Sequence, residues 1–282
     1  LKALITGAGG QLGRALIAAA PAGSELRAVA RAELDIAVAP AVAALMQSYA
    51  PEVVLNAAAF TGVDAAESAP EAAARANTLG PQVLATACRR AGAWLMHVSS
   101  DYVFDGAQGR PYEPQADPNP LSVYGRTKLA GELAVAHELP ERSTVVRASW
   151  LYSAAGGFPA RMLALMKSRP QLAVVSDQVG APTHAAGLAQ VLWALAARRV
   201  PGLMHWCDSG VASWYDFAVA IAEEALRAGL LESAPAILAI GSADYPTAAV
   251  RPPYSLLDKR ATEKLLGRHA PHWRSALRDT LA

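Results

Sequence analysis

Lys2-Ala3-Leu4-Ile5-Thr6-Gly7-Ala8-Gly9-Gly10-Gln11-Leu12-Gly13 is the stretch whose reading decides the fold. Residues 2–6 form a short apolar run of strand length, and a helical pattern follows the glycines to about Ala20. Strand, glycine loop and helix in that order make a G-x-x-G-x-x-G spacing informative as a dinucleotide loop. Gly7 permits the tight turn, Gly10 lets backbone approach a pyrophosphate, and Gly13 lets helix and strand pack closely. The helix start then offers free N–H groups and the positive end of its dipole to phosphates.

Working outward, apolar strand patterns recur at Glu25 to Ala30, Val53 to Asn56, Trp94 to Ser100 and Ser143 to Ala148. Helical patterns lie between them: Ala39 to Ala50, Glu71 to Arg90 (broken at Gly80-Pro81, with Asn77 just before the break) and Tyr124 to Glu138. This alternation predicts an α/β fold with a doubly wound parallel sheet of the Rossmann kind. Such sheets bind ligands outside the carboxyl ends of their strands, where Gly7, Ala59, Ser100 and Trp150 all fall. After Trp150 the rhythm changes. Helices are expected at Phe158 to Lys167, His184 to Arg198 and Ser213 to Ala228, with strands at Leu172 to Val175, Leu203 to Trp206 and Ile237 to Ile240. The expected division is a dinucleotide-binding domain over 1–150, to which 181–204 returns, and a smaller interwoven substrate lobe over 151–180 and 205–282.

A second stretch carries the chemistry. Ser99-Ser100-Asp101-Tyr102-Val103-Phe104-Asp105-Gly106 leaves the fourth strand, and Tyr124-Gly125-Arg126-Thr127-Lys128 opens the next helix. A separation of four puts Tyr124 and Lys128 on one helix face. A phenol titrates near ~10, and an adjacent cation favours its ionised form, so Tyr124 reads as a proton donor tuned by Lys128. Ser100 is placed to steady the oxygen whose charge changes. At the second-strand end, where NAD-binding chains usually carry an acid for the ribose 2′-hydroxyl, the sequence reads Ala30-Arg31. An Arg there suits a 2′-phosphate and hence NADPH, with NADH left open; it reads equally as a solvated surface residue. Asp35-Ile36 follows, placed to flank an adenine.

The bulk composition agrees with an ordered enzyme. The chain has 282 residues, 53% hydrophobic and 17% charged, which is ample for a large core. A net charge of +1 gives no reason to expect a nucleic-acid or membrane surface. The two cysteines, Cys88 and Cys207, lie far apart in apolar surroundings and fit reduced core residues in a reducing, cytoplasmic setting. No apolar run reaches transmembrane length, and the first residues read as a strand rather than a signal peptide.

Taken together these residues resemble the extended short-chain dehydrogenase/reductases, and among them the dTDP-4-dehydrorhamnose reductase family. The resemblance rests on Gly7 to Gly13, Asn56 to Ala59, Ser99 to Gly106, Tyr124 to Gly131, Arg147 to Tyr152, Asp177 to Thr183 and Tyr245 to Pro252. It implies Tyr124 as proton donor in the reduction of a nucleotide-linked 4-keto sugar. Lys128 would be its partner and a ligand of the nicotinamide ribose, with Ser100 in place of the family's usual Thr. It implies substrate contacts at Ser100, Asp101 and Trp150. Cofactor contacts are implied at Gly10, Gln11, Leu12, Asp35, Ile36, Ala59, Phe60, Thr61 and Val98. Trp150 and Val98 also read as plain core residues. Some relatives dimerise around magnesium through glutamates, one of them on the first helix. That region here reads Arg14-Ala15, so no metal is expected, while a homodimer stays open. Two other readings belong to the same resemblance. A dehydratase needs an Asp-Glu pair after the strand-four hydroxyl, where this chain has Asp101-Tyr102, and an epimerase holds NAD tightly. A regulatory subunit of methionine adenosyltransferase, similar to these reductases, binds without catalysing; the full set of Ser100, Tyr124 and Lys128 favours an enzyme.

Overall fold

The computed structural model describes residues 1–154 and 156–282. Its first part runs β1 (Lys2–Thr6), α1 (Gln11–Ala18), β2 (Glu25–Val29), α2 (Ala39–Tyr49), β3 (Val53–Asn56), α3 (Val63–Ser68), α4 (Pro70–Ala74), α5 (Gly80–Ala91), β4 (Trp94–Ser100), α6 (Val123–Glu138) and β5 (Ser143–Ala148). It continues through β6 (Leu151–Tyr152), α7 (Gly157–Met166), β7 (Gln171–Val175), β8 (Val179–Gly180), β9 (Thr183–His184), α8 (Ala185–Arg198) and β10 (Gly202–Trp206). The last elements are β11 (Ala212–Ser213), α9 (Trp214–Arg227), β12 (Ala236–Ile240), α10 (Arg260–Leu266) and α11 (Trp273–Leu281).

Six strands form one sheet in the order β10-β5-β4-β3-β1-β2, every pair parallel. The central strands read as near-continuous apolar runs because both faces are covered. On one face α1 and α8 pack over Leu16, Leu188 and Trp193; on the other lie Val42, Leu84 and Val135 of α2, α5 and α6. The winding reverses between β1 and β3, so a crevice opens there, beyond the strands' carboxyl ends.

The remaining elements build a smaller cluster around Phe217, Ile221 and Leu277, with β7 and β12 paired in parallel. Three differences from the sequence reading have clear causes. The loop 177–183 contains β8 and β9, two-residue strands paired with β11 and β6, a pairing too short and too non-local to leave a periodic signature. The helix expected from Ser213 starts at Trp214, because Ser213 is its cap: its hydroxyl accepts from Asp216 N–H while Asp216 reaches back to Ser213 N–H. The helix expected over 71–90 is two helices joined by a π turn at Arg75–Leu79, with Pro81 in the first turn of α5.

Candidate active site

The glycine loop closes as its spacing requires. Gly7 sits at φ +72°, and a Cβ there would stand 2.6 Å from Ala58 N, on the loop after β3. A Cβ on Gly13 would stand 2.2 Å from Gly7 O, so α1 can approach the loop only with glycine at that position. Gly10 caps α1 without a side chain, and the first turn carries no acid, which leaves its N–H groups and dipole turned to the crevice.

The crevice is a cavity of about 630 Å³. Gly7, Gly10, Gln11, Leu12, Arg31, Asp35, Ile36, Ala59, Thr61, Val98, Ser100, Asp101, Tyr124, Lys128 and Trp150 all line it. Gly13 and Phe60 do not: Gly13 is buried behind the loop, and Phe60 is held from behind through its backbone. At the end beside Ala30 and Arg31, Arg75 donates to Asp35 Oδ2 from Nε at 3.2 Å and Nη2 at 3.0 Å. The N–H of Ala37 and then Arg75 hold the Asp35 carboxyl below its usual range. Glu33, the nearest acid to the β2 end, turns back to accept from Ala30 N–H at 2.9 Å and does not line the crevice.

At the other end the close of β4 and the start of α6 present Ser100, Asp101, Tyr124 and Lys128 together. Ser100 Oγ accepts from Tyr102 N–H at 3.2 Å and donates to Asp101 Oδ1 at 3.0 Å. Asp101 Oδ2 accepts from Ser255 Oγ at 2.5 Å, a tie from the far end of the chain. Burial still pushes Asp101 up to about 6. Tyr124 opens α6, whose first turn is fixed by Ser122 Oγ accepting from Gly125 N–H at 3.1 Å. Tyr102 meets its ring edge-on at 5.6 Å. Lys128 is buried, and its Nζ donates to Val98 O at 2.7 Å. Burial draws its ammonium down to about 8, opposed by the Glu132 carboxylate. The expected lowering of Tyr124 by Lys128 is corrected here. Desolvation pushes the phenol up to about 12, opposed by the Ser100 hydroxyl and reinforced by the Asp101 charge, while the ammonium is engaged with a backbone carbonyl.

Trp150 takes φ +43°, a strained value for a bulky residue, and stacks on Trp214 with ring centroids 3.6 Å apart and planes 7° off parallel. Gly180 leaves the room: a Cβ there would lie 3.0 Å from the Trp150 ring. Sequence reasoning assigned no role to Tyr102, Trp214, Arg75 or Ser255. Tyr102 lies within the quoted stretch beside Asp101, while Arg75, Trp214 and Ser255 come from distant parts of the chain, where no local pattern marks them. Among the described residues no three His, Cys, Asp or Glu side chains are grouped to hold a metal ion. Among the described residues no helix is long and apolar enough to cross a membrane.

Comparison with known proteins agrees with this geometry. The family model described as "RmlD substrate binding domain" matches residues 1–282. A dTDP-4-dehydrorhamnose reductase of Mycobacterium tuberculosis is 43% identical over 289 residues, covering 100% of this chain and 92% of the relative. One of Aggregatibacter actinomycetemcomitans is 39% identical over 290 residues, covering 100% and 98%. The crystal structure of a dTDP-4-dehydrorhamnose reductase from Bacillus anthracis in complex with NADP superposes with a TM-score of 0.93 at 32% identity, covering 99% of this chain and 98% of that one. With the family model matched end to end and such relatives at full length, the chain belongs to the RmlD substrate binding domain family, that of the dTDP-4-dehydrorhamnose reductases.

Proposed function

We propose that this chain reduces the 4-keto group of dTDP-4-dehydro-L-rhamnose to give dTDP-L-rhamnose, using NADPH. The observation that carries the reading is the convergence of Tyr124, Lys128 and Ser100 on the same crevice as the glycine loop. The residues fit a dinucleotide. Gly7 and Gly10 line the crevice without side chains, and the α1 start, which has no side-chain cap, suits a pyrophosphate. Arg31 and Arg75 line the adenosine end with no free carboxylate beside Ala30, which favours a 2′-phosphate over a bare ribose. When bound there NADPH supplies the hydride.

The protein supplies the proton and the orientation. Reduction adds a hydride to carbon and a proton to oxygen, and Tyr124 holds that proton. A phenol pushed up to about 12 keeps it at neutral pH until an alkoxide, a stronger base, forms beside it. Ser100 Oγ, held by Tyr102 N–H, turns its proton from Asp101 Oδ1 to the same oxygen. Lys128, charged at neutral pH and anchored on Val98 O, provides a donor for a ribose hydroxyl. Asp101 and Trp150 orient the sugar. Elimination chemistry is disfavoured, because the residue after Asp101 is Tyr102 and not the Glu that an Asp-Glu pair requires.

The test is NADPH oxidation with dTDP-4-dehydro-L-rhamnose by the protein and by Tyr124→Phe. Loss of a positioned general acid lowers turnover by on the order of 10²–10⁴-fold, and NADPH affinity should stay within a small factor. Unchanged turnover would remove Tyr124 from the role.

A further inference from the structure

The crevice wall beside Ala30 carries a charge arrangement that the chemistry at Tyr124 does not use. Ala72, Arg75 and Ala76 all line it. Three and four positions apart, they share a face, so two methyls leave room and one guanidinium reaches the cavity. Arg75 stands at the start of the π turn and meets Asp35, on the loop after β2, side-on. Its Nε donates to Asp35 Oδ2 at 3.2 Å, and its Nη2 donates to the same oxygen at 3.0 Å. Asp35 Oδ1 accepts from Ala37 N–H at 2.9 Å. The carboxylate is thereby held to its own loop by one oxygen and to the arginine by the other.

A guanidinium carries more N–H donors than side-on pairing spends. Among the described residues Arg75 Nη1 has no hydrogen-bond partner. The Nη1–Nη2 edge, the one that matches two oxygens of a phosphate, is therefore open. Arg31 is on the same wall, close enough for its charge to act on Asp35. The acids nearby are committed elsewhere. Asp35 is paired with Arg75, and Glu33 is turned back to Ala30 N–H. No uncommitted carboxylate is left beside Ala30 to accept from the hydroxyls of a bare ribose, the usual grip on NAD.

We propose that Arg75 is a specificity-determining residue for the coenzyme: its open edge binds the ribose 2′-phosphate of NADPH, with Asp35 as the strut that aims it. The inference deepens the reading given above and rests on NADPH lying in this crevice with its adenosine ribose beside Ala30. A phosphate monoester carries about −1.5 to −2 charges at neutral pH, which two guanidiniums match. The residue that reads the ribose normally ends the second strand. Arg75 comes instead from the segment between β3 and β4, so discrimination depends on two separate segments packing together.

The test is equilibrium binding, read by titration calorimetry, of NADP⁺, NAD⁺ and adenosine 2′,5′-bisphosphate to the protein, to Arg75→Gln and to Arg75→Lys. The side chains of Arg75 and Asp35 are 47% and 37% exposed, so losing their pair leaves the fold intact, and a melting curve checks this. Arg75→Gln should weaken NADP⁺ and the bisphosphate by about tenfold or more and leave NAD⁺ within roughly twofold. Arg75→Lys should recover only part of that loss, because an ammonium has the charge without the fork. An Arg75→Gln variant with the wild-type ratio of NADP⁺ to NAD⁺ affinity would overturn the proposal. So would Arg75→Lys binding as wild type does, or an equal loss for both coenzymes. The wild-type titration separates the two failures. If it binds neither coenzyme, the reading of the crevice falls as well; if it prefers NADP⁺ and Arg75→Gln keeps that preference, only the role of Arg75 falls.

Discussion

Asp101 is a carboxyl group taken almost wholly out of water, at 1% exposure, with a serine hydroxyl on each oxygen. Two neutral donors do not repay the desolvation of a charge, so its folded pKa rises from 3.8 to about 6. The folded state then binds more protons than the unfolded chain between those two values, and stability falls as pH rises through the window. Two units correspond to about 3 kcal/mol, lost in full above pH 6. Asp208, pushed up to about 7 by burial, acts in the same direction, so only the difference between wild type and Asp101→Asn isolates this residue. Urea unfolding from pH 4 to pH 7 should show the wild type losing ground to Asp101→Asn as pH rises; parallel curves would show the carboxyl is not strained. At this scale the sequence made Tyr124, Lys128 and Ser100 legible, because a four-residue spacing and a strand end are local facts. The partners Ser255 and Val98 O were not, since one is 154 residues away and the other is a backbone atom exposed by strand geometry.

The elements α5 and α6 show how a helix contact is set by what is absent. Glycine in a helix interior normally costs about 1 kcal/mol relative to alanine, so Gly131→Ala would be expected to strengthen α6 taken alone. Here the added methyl would meet Asn77 O at 2.0 Å, a backbone atom held by the π turn. Overpacking of this kind costs on the order of 1–3 kcal/mol and outweighs the propensity gain. Gly131→Ala should lower the melting temperature and, by moving α6, lower turnover; a stabilised, fully active variant would show that the two helices separate freely. Helix ends with side-chain caps were legible to within a residue, as at Ser213. The π turn was visible only as a Gly80-Pro81 interruption, because nothing in the sequence distinguishes a kink from a bulge that keeps the helix axis running.

For the whole molecule, the strand–helix alternation over residues 2–148 announced a parallel sheet. The sequence reading expected 181–204 to return to the first domain; the strand order, with β10 as the edge strand beside β5, came from contacts between distant segments, which no window along the chain contains. The same non-local ties close the crevice. Arg251 pairs with Asp64 at 2.6 Å, and Ser255 bonds Asp101, so the stretch after β12 is fastened to the sheet side at two points. Buried Arg147, paired with Glu132 at 2.6 Å, fixes α6 against β5 on the same side. The crevice is thus one preorganised site with the glycine loop and the Tyr124 phenol both on its wall. The most direct measurement is the fate of the hydride: NADPH carrying deuterium at both C4 positions of the nicotinamide, turned over with dTDP-4-dehydro-L-rhamnose, and the product read by mass spectrometry and NMR. The account predicts dTDP-L-rhamnose carrying one deuterium at sugar C4. A product without deuterium at C4, or no consumption of NADPH by the folded protein, would contradict it.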